Sequence, residues 1–202
     1  MIVIKNMTKA FGEHVLFHEY NLTIDDGDFI VFTGKSGCGK STILNIIGGL
    51  EKPEKGTVQV DGMDIYKRKN QREFFSDKVN FLFQNFALME GKTVRENLNI
   101  IPKKHCETIL MEDVLENVGL LSKIDTKVYK LSGGEQQRVA LARTMLKKCN
   151  IILADEPTGS LDPENAQIVM DALKTLHQKG KTIILVTHNL HIIPKEAKVI
   201  QL

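Results

Sequence analysis

An α/β fold is predicted, with a mostly parallel sheet, an antiparallel β subdomain near the N-terminus and an inserted α-helical subdomain. Three observations predict it. Strand-length apolar runs alternate with helical patterns at both ends of the chain, as parallel strands joined by crossover helices do. The alternating run TVQVDGMDI, from Thr57, turns about Asp61-Gly62, a short-range hairpin signal. From Asn85 to Lys148 the apolar spacing is largely helical. With 202 residues, 42% of them hydrophobic, the chain has the length of one domain and enough apolar matter for a full core. The expected division places a core at 1–84 and 149–202, including the β subdomain, and a helical subdomain at 85–148.

In chain order, MIVIK and NLTI read as short strands, followed by a turn at Asp25-Asp26-Gly27 and the apolar strand DFIVFT. Helix STILNIIGGL follows a glycine-rich loop, then comes the hairpin, and VNFLF from Val79 is the next strand. The helical stretch comprises TVRENLNI, CETILMEDVLENVGLL and EQQRVALARTMLKK. The chain then returns to strand IILAD, helix PENAQIVMDALKTLHQ, strand TIILVT and a closing VIQL.

Charge and cysteine usage exclude several classes. A formal net charge of +2 is near balance, so no nucleic-acid partner is expected, and the basic run YKRKNQR from Tyr66 reads as a solvated helix face or loop. Cys38, Cys106 and Cys149 are widely spaced and form no CxxC pair, as expected of reduced cytosolic thiols. No apolar run approaches the ~20 residues of a membrane helix, and no cleavable leader is evident. If the protein serves a membrane, another chain must cross it.

The chemistry begins at GKSGCGKS, from Gly34, which fits G-x-x-x-x-G-K-[ST] between a buried strand and a helix. Gly34, Gly37 and Gly39 let the backbone curl so that its N–H groups face a phosphate, and the helix N-terminus adds positive potential. Lys40 is placed to reach the β- and γ-phosphates of a nucleotide and Ser41 to ligate Mg²⁺. Strand IILADE ends in two carboxylates: Asp155 fits the Mg²⁺ shell, and Glu156 fits a base for the attacking water. Both serve one site only because the strand ends there, and Pro157 keeps Glu156 out of the α region.

LSGGEQQ, from Leu131, raises a different question. Ser132 and Glu135 form the spacing of a capping box that opens helix EQQRVALARTMLKK. A cap does not explain Gly133 and Gly134, which weaken a first helical turn and let something large approach the backbone. A helix N-terminus is itself an anion site. Two phosphate-binding ends in one small chain imply that the second serves the nucleotide of another copy.

GKSGCGKST, LSGGEQQ, IILADEP, SLD and VTH occur in the order and approximate spacing of an ABC-type ATPase, and the chain resembles that family over essentially its whole length. The resemblance implies a P-loop NTPase (RecA-like) core, hydrolysis of ATP with Mg²⁺, and a head-to-tail pair of ATPase subunits, most simply a homodimer. It implies that Gly34, Lys35, Ser36, Gly37, Cys38, Gly39, Lys40, Ser41 and Thr42 surround the phosphates, Cys38 through its backbone only. Ser132, Gly133 and Gly134 would contact the γ-phosphate held by the partner copy, and Asp162, in the SLD loop, would cross between copies. Gln84, after VNFLF, matches the glutamine that senses Mg²⁺ and the attacking water, and His188, after TIILVT, the switch histidine. Phe11 stands where the family usually has a tyrosine stacked on adenine, so stacking is kept and a hydroxyl is lost. His188 and His191 lack a thiol or carboxylate neighbour in sequence, which argues against zinc.

The resemblance further implies a membrane permease partner and a cytoplasmic position on the inner face of the membrane, held through that permease. Phe86, Leu88 and Met89 in FLFQNFALM fit either a groove for a cytoplasmic permease helix or the core. QNFALMEGKTVRENL and DEPTGSLD look most similar to the branch serving lipoprotein release, macrolide or peptide efflux and bacteriocin export, and the small size to bacteriocin exporters of the lactococcin type. The sequence leaves open a regulatory ATPase of the cell-division type, which acts on a membrane partner without moving a substrate. It has neither the long coiled coil of repair-type members nor the doubled module of translation-type ones, and LSGGEQQ argues against a P-loop kinase.

Overall fold

Two sheets carry the chain, and the computed structural model describes all of it, Met1–Leu202. The first is antiparallel: β1 (Ile2–Phe11), β2 (His14–Ile24), β4 (Lys55–Val60) and β5 (Met63–Asp64) lie in the order β2-β1-β4-β5. The second is parallel throughout: β3 (Phe29–Thr33), β6 (Val79–Leu82), β7 (Ile151–Asp155), β8 (Thr182–Val186) and β9 (Lys198–Gln201) lie in the order β6-β7-β8-β3-β9. The helices are α1 (Lys40–Ile47), α2 (Arg68–Glu73), α3 (Val94–Leu98), α4 (Met111–Asn117), α5 (Gly133–Leu146) and α6 (Pro163–Gln178).

Alternation in the central strands explains why their sequences are apolar throughout. Phe29 and Val31 of β3, Ile152 and Ala154 of β7, and Ile183 and Leu185 of β8 enter one core, with α4, α5 and α6. Their neighbours Ile30 and Phe32, Ile151 and Leu153, and Ile184 and Val186 enter a second core, with α1 and the antiparallel sheet. A sheet buried on both faces cannot show polar alternation. In α6, Val169, Met170, Leu173 and Leu176 are all buried, one stripe at helical spacing.

The sequence underestimates β1 and β2. They form a long hairpin, 10 and 11 residues, because Asn6 and Glu19 adopt left-handed backbone (both φ +48) beside register shifts that break the alternation without ending the pairing. The Asp61-Gly62 turn has positive φ at both residues (+51 and +74), as a tight hairpin requires. Helices α3 and α4 are shorter than the spacing predicts. Cys106 instead bridges to Lys147 as an isolated β pair, and the Glu107 N–H donates to the Leu146 carbonyl, which holds that stretch extended. The basic run forms α2, with no buried residue, continued by a π-helical turn at Phe74–Lys78.

Gly56 shows how tightly the sheets are closed. Its φ is +86, and a Cβ there would stand 2.5 Å from the carbonyl oxygens of Lys5 and Asn6, where backbone has no room to yield. Gly56→Ala is therefore expected to lower the free energy of unfolding by about 1–3 kcal/mol in urea titration. Gly91→Ala, with open space around it, should stay within about 0.5 kcal/mol of wild type.

Candidate functional site

Register at one edge of the parallel sheet assembles the site. Phe32 and Asp155 both pair with Val186, and Leu82 pairs with Ala154 one position earlier. The segments carrying Gly34, Gln84, Glu156 and His188 therefore leave from the same carboxyl edge, where open α/β sheets bind ligands.

The loop between β3 and α1 curls tightly. A Cβ at Gly34 (φ +147) would stand 2.7 Å from both the Leu202 carbonyl oxygen and the Cys38 sulfur. Gly39, in left-handed conformation, leads directly into α1. Lys40 Nζ donates to the carbonyls of Gly34 and Lys35, each at 2.9 Å, so the ammonium is held at the loop's mouth. Ser41 Oγ donates to Asp155 Oδ1 at 3.0 Å, joining the loop to the end of β7. Burial pushes the Asp155 carboxyl above its ordinary value and the Glu156 charge adds to this, while the Ser41 bond and the Lys40 charge pull it back. Ser36, Gly37, Gly39, Lys40, Ser41, Thr42 and Glu156 line a cleft of about 260 Å³.

Glu156 lies outside the right-handed α region, on backbone unusual for a residue with a side chain. Its φ is +44, on the left-handed side, while its N–H still donates to the Val186 carbonyl at 3.0 Å. A non-glycine residue held so at a strand end is a strained position of the kind found at functional sites. His188 Nδ1 lies 3.0 Å from Glu156 Oε2, so in space the histidine does have a carboxylate neighbour. A methyl group added at Gly159 would touch the Gln84 amide at 3.6 Å, which puts Gln84 beside the turn that follows Glu156.

Ser132, Gly133, Gly134, Asp162 and Phe11 do not line the cleft. Ser132 and Glu135 form the expected capping box: Ser132 Oγ accepts from the Glu135 N–H at 3.3 Å and Glu135 accepts from the Ser132 N–H at 2.9 Å. The two glycines differ. A Cβ on Gly133 would meet nothing within 4 Å, whereas one on Gly134 would stand 2.8 Å from the Asn165 side chain, so the chain itself accounts for the second glycine. Asp162 caps α6, accepting from the Asn165 N–H at 2.9 Å, which holds its carboxyl below the ordinary value. Phe11 is 53% exposed, with the Lys9 ammonium 4.7 Å from its ring centre.

The sequence reading missed Gln137, which is fully buried and donates from Nε2 to the Pro157 carbonyl at 2.7 Å, tying α5 to the turn after Glu156. A glutamine one helical turn before Ala140 and Leu141, on the face that both of them bury, was the available signal.

A family model described as ABC transporter matches residues 17–159. The chain belongs to the ABC transporter family. It is an ABC ATPase domain with the P-loop NTPase fold. It is 38% identical over 207 residues to the ABC transporter ATP-binding protein YvrO of Bacillus subtilis, covering 96% of this chain and 90% of YvrO. It is 36% identical over 210 residues to the macrolide export ATP-binding/permease protein MacB of Campylobacter jejuni, covering 100% of this chain and 33% of MacB. The ABC ATPase domain thus spans a third of the length of the macrolide export relatives it matches. Among solved structures, the dimeric structure of the bacterial ABC transporter cassette MJ0796 superposes with a TM-score of 0.88 at 35% identity, covering 100% of this chain and 94% of the other. A dimeric post-hydrolysis state of the same cassette, bound to ADP and Pi, gives 0.85.

The raised Asp155 carboxyl has a testable consequence. A carboxyl whose native value lies above its unfolded value of 3.8 binds more protons when folded. Its stabilising effect is therefore full below that value and is lost as pH rises toward the native one, leaving charged Asp155 a cost at neutral pH. Asp155→Asn keeps an oxygen for Ser41 and is expected to raise the melting temperature at pH 7, which calorimetry checks.

Proposed function

We propose that this ABC ATPase domain binds MgATP in the Lys40 cleft, hydrolyses it only when a second copy closes over the nucleotide, and so drives export of a peptide, lipoprotein or drug-like substrate through a separate membrane permease. The observation that carries the reading is the division of labour within the chain. The cleft is lined by Lys40, Ser41 and the half-buried Glu156 carboxylate, with Asp155 bonded to Ser41, while the Ser132–Gly134 helix end, with open space at Gly133, lies outside it.

Each residue has a role in this reading. Lys40 trades its two loop carbonyls for the β- and γ-phosphate oxygens. Ser41 and Asp155 present two oxygen donors at one point, and no group of three His, Cys, Asp or Glu residues encloses a cation. That donor set fits Mg²⁺, which keeps water and phosphate oxygens as its other ligands and would neutralise charge on the phosphates. Glu156 accepts a proton from the attacking water, oriented from one side by His188 and with Gln84 close by. Gly34, Lys35, Ser36, Gly37, Cys38, Gly39 and Thr42 complete the phosphate cradle, and the exposed ring of Phe11 offers a stacking surface for adenine. Ser132, Gly133, Gly134 and Asp162 act on the nucleotide of the partner copy.

The segment 85–148 is taken to be the helical unit that moves on the core formed by 1–84 and 149–202. Phe86 and Leu88 pack inward while Met89 is exposed, and the permease contact is assigned to the apolar groove of about 400 Å³ lined by Phe75, Phe81, Phe83, Ile100, Pro102 and Arg143, among others. No helix is long and apolar enough to cross a membrane. The permease would hold the domain on the cytoplasmic face. Resemblance to the macrolide export relatives supports the export direction, and the dimeric MJ0796 structures support pairing.

Glu156→Gln is expected to bind MgATP with near wild-type affinity, to hydrolyse it about 10²–10⁴-fold more slowly, and to elute as a dimer with ATP in size-exclusion chromatography. Wild-type turnover would remove Glu156 as the base. Gly133→Val should melt within a few degrees of wild type and bind nucleotide normally, yet lose nearly all turnover; impaired nucleotide binding by the single chain would contradict the assignment across copies.

A further inference from the structure

Contacts from three different places converge on Asn165, in the first turn of α6. Its Nδ2 donates to Asp162 Oδ2 at 2.6 Å. Its Oδ1 accepts from Arg138 NH1, on the second turn of α5. Its side chain also fills the space that a side chain on Gly134 would need, 2.8 Å from that Cβ position. The amide has only one workable orientation here. A carboxylate only accepts and a guanidinium only donates, so NH₂ must face Asp162 and oxygen must face Arg138.

Capping does not require this arrangement, because the Asp162 cap uses the backbone N–H of Asn165 and not its side chain. The side chain instead spans from the Asp162 loop to the helix end that carries Ser132–Gly134. Both of those elements act on the nucleotide of the partner copy in the function proposed above, and this inference rests on that reading. Two elements that must meet one remote site together lose productive encounters if each moves independently.

We propose that Asn165 is a positioning residue that locks the Ser132–Gly134 turn and the Asp162 loop into one body, so that both reach the partner's nucleotide in a single docking step. Gly134 follows from the same demand, since its missing side chain is what lets Asn165 lie between them.

The test measures steady-state ATP turnover against protein concentration for the full chain, with nucleotide affinity of the single chain and melting temperature alongside. Asn165→Ala is expected to raise the concentration for half-maximal turnover by about tenfold or more, with single-chain affinity and melting temperature unchanged. Asn165→Asp keeps the shape and the Arg138 contact but sets two carboxylates against each other, and should give the same shift. It also serves if the alanine variant proves unstable. Wild-type half-saturation in the Asn165 variants would overturn the positioning role alone. Concentration-independent turnover of the wild-type protein would overturn it together with the paired function beneath it.

Discussion

The parallel register at the carboxyl edge of the five-stranded sheet is the constraint on which the site depends. Phe32, Asp155 and Val186 stand in one row across β3, β7 and β8. A slip of one residue in any strand would turn its inward side chains to the other face and carry its loop out of position. The register is held because both faces are buried, with alternate residues committed to two separate cores. The Ser41–Asp155 hydrogen bond, spanning 114 residues of sequence, exists only because that row exists.

From the same edge comes the chemical tension of the site. Asp155 and Glu156 are adjacent carboxylates, one partly buried with its carboxyl pushed upward, the other on left-handed backbone with a histidine against it. Such an arrangement costs folding free energy, and natural proteins retain such costs mainly where function requires them. Gln137 bears on this turn from α5 by holding the Pro157 carbonyl, so the helix that starts at the Ser132 cap is also braced against the residue following Glu156. A movement of that helix end has a direct mechanical route to the carboxylate that the reading makes the base.

Much of this was legible in the sequence, for a physical reason. The phosphate loop, the strand-end carboxylates and the Ser132–Glu135 cap are local devices whose backbone demands write themselves as glycines, a lysine and acidic residues at fixed spacing. The central strands were legible because burial on both faces leaves unbroken apolar runs. What stayed hidden depends on tertiary placement. The hairpin of β1 and β2 is interrupted by the left-handed Asn6 and Glu19, so periodicity alone sees only its ends. Asn165, Arg138 and Gln137 are unremarkable polar residues on helices until α5 and α6 are set side by side. The two glycines of LSGG read as one signal, yet one makes room for Asn165 and the other faces open space.

The central claim, that each hydrolytic centre is built from two chains, is tested most directly by mixing two inactive variants. Lys40→Ala disables a chain's own phosphate cleft and Gly133→Val disables what it offers to its partner, so a mixed pair contains one intact centre. Random pairing at equal concentrations makes half the dimers mixed, each with one of two centres intact. The mixture should then recover about a quarter of wild-type turnover while each variant alone stays inactive. A mixture as inactive as its components would contradict the account.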